Sequence, residues 1–316
     1  MHVRFADTRP SGDYALVLPV AGKDRSSLAS LGDAQQAVAA TLDRQRFEGE
    51  GASVSDQFVA ENGGVRRVLV VGVGTGTSAG EAAEKLGGTA VARLLTSGER
   101  TAVIDISSLR YDADSAARVA VGAALRSWRH DRYRTRLKDN QKATLEEVVV
   151  VGGGAGAEQR YKTRWAPVVE GVSLTRELVT EPANIIYPET FVQRVRKSLE
   201  GSGVEIDVLD RAQMEKLGMG ALLGVAQGSA RDARLLVLKW NGGGKGAPTA
   251  RMPPKPSAAS RSGSRTVRVR PGRVAASAPI CPANQAGFFT DAGMLARSRA
   301  SQVAAAVTRA VSRLSA

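Results

Sequence analysis

Four near-continuous apolar runs mark the first half of the chain: YALVLPV at 14–20, RVLVVGV at 67–73, TAVIDI at 101–106 and LEEVVVVGG at 145–153. Unbroken Val, Leu and Ile suit strands covered on both faces of a sheet rather than strands with one wet face. Helical patterns lie between them. One follows Asp33, read as its N-cap, one spans 77–95, and one spans 115–134 with Val119, Leu125 and Trp128 among its apolar positions. Alternating strand and helix predicts an α/β domain with a mixed or parallel sheet over residues 1–162.

The period then changes. Trp165, Val168, Val169 and Val172 fall at i, i+3, i+4 and i+7, one helical stripe that Leu178 continues. Pro182 limits this helix to Glu181, so residues 163–182 are expected to link two domains. In the next segment Phe191, Val195 and Leu199 step by four, and Gly201 is placed to end that helix. Val204, Ile206 and Val208 alternate as a strand does. Asp210 with Gln213 forms a capping-box variant for a helix that Gly218 stops, and 233–240 reads as a further strand. Residues 183–248 are thus the opening of a second, incomplete α/β domain. Beyond Thr249 no periodic pattern persists except an isolated amphipathic stretch at 301–314.

Charge sharpens that last boundary. The 316 residues carry a formal charge of +13. From Ala247 to Ala316 there are ten Arg and one Lys against a single acid, Asp291, whereas the preceding 246 residues hold 33 basic and 30 acidic side chains. Seven Pro fall in the same seventy residues. Residues 249–316 are therefore expected to form a disordered basic tail, with too little apolar material to offset chain entropy. The single cysteine, Cys281, excludes an intrachain disulfide. The N-terminus has no basic region leading into an apolar run, and no stretch approaches the ~18 apolar residues of a membrane span. A soluble cytoplasmic protein, without a membrane partner, is the expectation.

Few residues offer chemistry. Gly74, Gly76 and Ala79 match G-x-G-x-x-A after a strand and before a helix, and Gly152, Gly154 and Ala157 match it again. A dinucleotide site also needs an acid about 20 residues on. The nearest suitable one, Asp105, comes 31 residues after Gly74, so tight strand-to-helix turns are favoured over a cofactor site. His2 and His130 are the only histidines, and neither has a Cys or His at zinc-ligand spacing. The basic run LRSWRHDRYRTRLK at 125–138 has interleaved aromatics that could suit nucleic acid. A solvated face with Trp128 and Tyr133 packed inward is favoured. Pro182 and Pro188 bracket Asn184, whose side chain can bond nearby backbone; a structural loop is favoured over a catalytic one.

Four stretches, taken in order and spacing, resemble the leucyl aminopeptidase family, also called cytosol aminopeptidases. They are GAALRSWRHDRYRTRLK, TRELVTEPANIIYPETF, VLDRAQMEKLGMGALLGVAQGSA and ARLLVLKWNGGGKGAP. The resemblance covers roughly residues 1–248, with Thr180 standing where the family usually has Asn. It implies a two-domain α/β fold, an N-terminal domain that aids assembly of a homo-hexamer, and peptides as substrates. It also implies two divalent metals, Mn or Zn, that hold the peptide and activate a bridging water. The family's ligand block, approximately GKGxxFDTGGxxxKP, MKxDMGGA and NTDAEGRL, has no counterpart after residue 248. Lys255 and Pro256 echo only its KP.

The resemblance therefore carries over no catalytic, metal-ligating or cofactor-binding residue. The expectation is a family member that binds neither metal and is inactive alone. Two origins of the tail stay open: loss of the reading frame near codon 248, favoured by the GC-rich character of its Arg, Ala, Pro, Ser and Gly, and an evolved basic tail that binds nucleic acid without sequence preference. An assembly role, with entry into complexes of full-length subunits, is the non-catalytic alternative.

Overall fold

The computed structural model describes residues 1–61 and 63–242, and the backbone of two two-residue strands, Thr249–Ala250 and Val267–Arg268, which pair antiparallel. The rest of the expected basic tail lies outside the described residues. The chain divides into two compact units, one reaching Ser173 and one beginning at Leu174.

In the first unit the elements run β1 (His2–Ala6), β2 (Ala15–Val20), a 3-10 helix (Ser26–Ala34), α1 (Gln35–Arg44), β3 (Val54–Glu61), β4 (Gly64–Gly72), α2 (Ala79–Leu94), β5 (Thr101–Asp105), α3 (Ala113–Ser127), β6 (Glu147–Val151) and α4 (Ala155–Arg160). A π-helical turn (Tyr161–Trp165) joins α4 to α5 (Ala166–Thr180). The sheet order is β1-β6-β5-β2-β4-β3. Every neighbouring pair is parallel except β3 with β4. The sheet is thus mixed, with one antiparallel edge.

The apolar runs have the cause assigned to them. All six residues of β2 are buried, and so are the last four of both β5 and β6. On one face Val17, Leu69, Ile104 and Val150 pack with α2 and α3. On the other, Leu16, Leu18, Val70 and Val149 pack with Leu28, Val38 and Leu42 of the 3-10 helix and α1. A fully buried Val, Leu or Ile contributes about 1.5–3 kcal/mol, so this double-sided core dominates the unit. Helices α2 and α3 approach through glycine: a Cβ at Gly87 would lie 1.9 Å from the Val119 carbonyl oxygen, and one at Gly122 1.9 Å from that of Glu84.

Several elements depart from the sequence reading. Asp33 is not a cap, because it lies inside the 3-10 helix, and Ala34 precedes α1 without a side-chain bond. The third helix ends at Ser127 rather than 134, where Trp128 turns extended. Strands β1 and β3 carried too little apolar material to stand out. Both are sheet edges, and only Ser55 of their thirteen residues is buried. The helix expected from 163 begins at Ala155 and continues through the π turn. Pro167 supplies a cause: it has no N–H for the Thr163 carbonyl and its ring crowds that oxygen. The turn before it widens, with the Ala166 N–H reaching back five residues to the Tyr161 carbonyl. Trp165 then donates its indole N–H to Asp114 at 3.1 Å, and the Arg118 guanidinium lies 5.1 Å above its ring.

The second unit holds the end of α5, then α6 (Pro188–Ser198), β7 (Glu205–Leu209), α7 (Arg211–Lys216), α8 (Gly220–Ala226) and β8 (Leu235–Lys239). Pro188 takes the first helical position of α6, where no N–H is needed. Asp210 and Gln213 exchange the capping-box bonds, both at 2.9 Å. Gly201 and Gly218 adopt positive φ, 74° and 69°, after α6 and α7. Strands β7 and β8 pair antiparallel as a two-stranded sheet. Helix α8 had no place in the sequence reading.

Candidate functional site

The turn from β4 into α2 is built by close backbone approach. Gly74 has φ +71°, and its N–H donates to the Gly49 carbonyl at 3.0 Å. A Cβ at Gly72 would lie 2.1 Å from the Glu50 carbonyl oxygen, and one at Gly49 2.4 Å from that of Gly22. These glycines let neighbouring loops touch each other. Gly76 meets nothing within 4 Å, and Ala79 opens α2 behind Ser78, whose hydroxyl accepts the Glu81 N–H. At the carboxyl ends of β2 and β4 this leaves an open hollow of about 380 Å³, walled by Gly22, Glu48, Thr75 and Lys85 among others. No buried, unpartnered side-chain atom among the described residues belongs to its wall.

The second glycine turn follows the same logic. Gly152, at φ +87°, lies against Ser107, and Gly154 precedes the six-residue α4, in which Ala157 is buried. Asp105 ends β5, and β2 separates β5 from β4. Two strand spacings, about 10 Å, therefore lie between Asp105 and the first glycine turn. Its carboxylate is engaged locally: Arg9 Nε donates at 2.6 Å and the Ser107 N–H at 3.0 Å.

The basic run 125–138 leaves the end of α3 and becomes loop. Trp128 is half-buried and stacks on His130, with ring centroids 6.1 Å apart at 20°. Tyr133 does not pack inward as expected. It is 49% exposed, and its ring lies 5.6 Å from that of His130, tilted by 60°. Arg129 and Arg134 both donate to Asp131, so part of the run's charge is neutralised within the run. The hydrogen bond from Arg129 holds the Asp131 carboxyl below its ordinary value. His130 Nε2 is shielded and without a partner, while His2 sits exposed on the edge strand β1. The two histidines belong to separate settings.

The segment 177–194 is the most interconnected part of the second unit. Pro182 accepts N–H bonds from Ile185 and Ile186 at 2.9 and 3.0 Å, which fixes the turn into α6. Thr190, rather than Asn184, anchors it: its Oγ accepts the Tyr187 N–H at 2.9 Å and lies 2.9 Å from the Ile185 carbonyl. Asn184 is exposed and its side chain makes no hydrogen bond to a described residue. The Glu181 side chain is fully shielded, and Arg194 Nη1 reaches it at 3.1 Å and Glu177 at 3.2 Å. Arg234 bonds Glu189 at 3.2 Å. The sequence had flagged this stretch for its prolines; nothing local indicated that Glu181 would be buried opposite Arg194.

Comparison with known proteins decides what these elements belong to. Residues 17–137 match the N-terminal domain of the cytosol aminopeptidase family, and residues 173–252 match its catalytic domain. The chain belongs to the cytosol aminopeptidase family. Over 240 residues it is 35% identical to a "Probable cytosol aminopeptidase" of Sinorhizobium medicae, covering 74% of this chain and 48% of that protein. It is 38% identical over 220 residues to one of Afipia carboxidovorans, covering 69% and 43%. A tomato leucine aminopeptidase mutant superposes with a TM-score of 0.62 at 26% identity, over 75% of this chain and 50% of that one. A bottromycin maturation enzyme in complex with Mn shares the fold, with a TM-score of 0.57 at 23% identity, over 73% and 46%. The chain spans about half the length of the curated relatives it matches.

Within the aminopeptidase frame, Thr180 is the exposed last residue of α5, so its departure from the family's usual Asn disturbs no buried contact. Two divalent ions need several converging carboxylates or imidazoles. Among the described residues no three His, Cys, Asp or Glu side chains converge in this way. Five acids of the second unit are ion-paired: Glu177 and Glu181 with Arg194, Glu189 with Arg234, Asp207 with Lys239 and Glu215 with Arg211. The described residues do not fit a two-metal centre. Lys255, Pro256, Cys281 and Asp291 lie outside them. No helix of the described residues is long and apolar enough to cross a membrane.

Proposed function

We propose that this chain carries the N-terminal domain and part of the catalytic domain of a cytoplasmic metal-dependent aminopeptidase that releases N-terminal amino acids from peptides, and that by itself it turns over no peptide. The observation that carries the reading is colinearity: the N-terminal-domain match at 17–137 precedes the catalytic-domain match at 173–252 in one chain. The metals of the complete enzyme would be two divalent ions, Mn or Zn, and its assembly a hexamer. No catalytic, metal-ligating or cofactor-binding role is assigned to any residue of this chain. Its contribution is the folded N-terminal unit and the scaffold around Glu181 and Arg194.

The test is an assay of the chain purified away from host peptidases, with leucyl-p-nitroanilide and added Mn²⁺ or Zn²⁺. No release above the protein-free rate is expected. Release that a chelator abolishes would show that the acids of this chain assemble a metal centre after all.

A further inference from the structure

The two edges of the six-stranded sheet differ. Strand β1 has five residues and carries His2 and Arg4, the latter bonded to Glu147. Strand β3 has eight residues, longer than the usual length of about 5–6, and contains no Lys, Pro or Gly. Its register with β4 is unbroken, so no bulge turns this edge aside. Its two acids are neutralised from the neighbouring strand. Arg67 donates to both Asp56 oxygens, at 2.9 and 2.6 Å, and Arg66 bonds Glu61. Short length, Lys or Pro on the edge, and bulges are the devices that keep sheet edges apart, and β3 has none of them.

The pairing of β3 fixes which of its backbone groups point outward. Antiparallel neighbours bond at alternate residues. The Gly72 N–H donates to the Ser53 carbonyl at 2.9 Å, in line with the Val54–Val71 register. Counting by twos, Ser55, Gln57, Val59 and Glu61 bond β4. Val54, Asp56, Phe58 and Ala60 turn their N–H and C=O groups away from it, to the side where no strand follows among the described residues. Phe58 is 65% exposed. It shares a face with Ala60 and with Val65, which lies opposite Ala60 and is 69% exposed. The same face carries the Asp56–Arg67 pair, whose guanidinium lies 5.5 Å from the Phe58 ring centre. The other face of β3 is used within the unit: Ser55 is buried, and Val59 packs on the core that holds Leu28, Val38 and Leu42.

We infer that the β3 edge is a contact surface for a second copy of this chain, joined antiparallel across a two-fold axis that brings Phe58 opposite its own counterpart. Unpaired edge groups call for another strand, and β3 is self-complementary in this register. Outward-pointing residues meet outward-pointing residues, so N–H and C=O groups match. Asp56 falls opposite Ala60 and Ser55 opposite Glu61, so no acid meets an acid. A shift by one residue would set outward groups against inward ones. The nearest shifts that keep the match put Phe58 opposite Ala60 or Asp56 and forfeit the aromatic pair. Only residues of the first unit enter this contact, so it stands whether or not the aminopeptidase reading does. A contact of one strand pair is small, which makes the dimer dependent on concentration.

Sedimentation equilibrium of the full chain should show a monomer–dimer equilibrium, and amide exchange at Asp56, Phe58 and Ala60 should slow as concentration rises. Phe58→Lys, at a site exposed in the free chain, sets two cations directly opposite each other and should weaken the dimer by roughly tenfold or more. Val225→Lys, at an 88% exposed site of the second unit, should leave it unchanged. With Cys281→Ser as background, Phe58→Cys should cross-link two copies on mild oxidation, because the paired α-carbons there lie about 5.5 Å apart, within disulfide reach. Ala60→Cys should not, because in this register it lies four residues, about 13 Å, along from its own counterpart. The cysteine pair decides the matter even if Phe58→Lys impairs folding. A chain that stays monomeric overturns the inference. So does association that Phe58→Lys leaves intact or that Val225→Lys abolishes, and so does a cross-link that forms as readily at Ala60→Cys as at Phe58→Cys.

Discussion

Arg194 holds the carboxylate of Glu181, which has no exposure to water, at 3.1 Å. A buried charge left without its partner costs far more than the pair gains by existing. Arg194→Ala should therefore destabilise the second unit by about 3 kcal/mol, the low end for a broken buried pair, since Arg194 itself is partly exposed. Adding Glu181→Gln should restore part of the loss. Urea unfolding followed by amide exchange in α6 measures both, and a loss under about 0.5 kcal/mol for the single variant would mean that water screens the pair.

Ser27 presents the opposite case. It is 5% exposed and its hydroxyl has no partner, while its carbonyl accepts from Ser30 Oγ at 2.7 Å. Removing an unsatisfied buried hydroxyl is neutral or favourable. Ser27→Ala should leave stability unchanged or raise it by up to about 1 kcal/mol, read as the melting temperature. A clear loss would reveal a bound water on the hydroxyl.

Glu99 predicts a pH dependence. Burial raises its carboxyl above the ordinary value, Arg67 opposes the rise, and Asp13 and Asp56 add to it. Above the folded-state value both folded and unfolded chains are ionised, and the folded one bears the full penalty. As pH falls through the folded value, the folded chain takes the proton first and the penalty fades. Glu99→Gln should therefore raise the melting temperature near pH 7. The gain should vanish below the ordinary glutamate range, about pH 4. Equal gains at both pH values would count against this origin.

Gly87 sits mid-helix, where alanine normally stabilises by about 1 kcal/mol. Here the Val119 carbonyl occupies the space of the added methyl. Gly87→Ala should reverse the usual sign and cost about 1–3 kcal/mol, as overpacking does. A thermal melt decides it.

The sheet's interior was legible in the sequence because burial on both faces leaves an unbroken apolar signature, as in Ala15–Val20. Its edges were not. Phe58 of β3 is 65% exposed and the strand's polar residues hide its pairing. Caps made within four residues, such as Asp210 with Gln213, were readable. Partners far apart in sequence, such as Arg9 with Asp105 or Arg194 with Glu181, were not. Of the glycines in the two turns, Gly74 and Gly152 approach other loops at positive φ, while Gly76 and Gly154 meet nothing within 4 Å. No three metal-ligating side chains converge among the described residues, so the candidate site rests on family resemblance rather than on local chemistry.

The π turn at Tyr161–Trp165 makes the continuous helix sensitive to counting. A π turn holds one residue more than an α turn, so deleting one residue between Tyr161 and Trp165 would let it close as ordinary α-helix and keep the phase of the flanking helices nearly unchanged, while leaving composition and hydropathy almost unaltered. A frame-preserving deletion of three nucleotides there would look conservative in an alignment. In the folded chain it would remove the widened turn and set the Pro167 ring against the carbonyl four residues before it, a local strain made without replacing any residue.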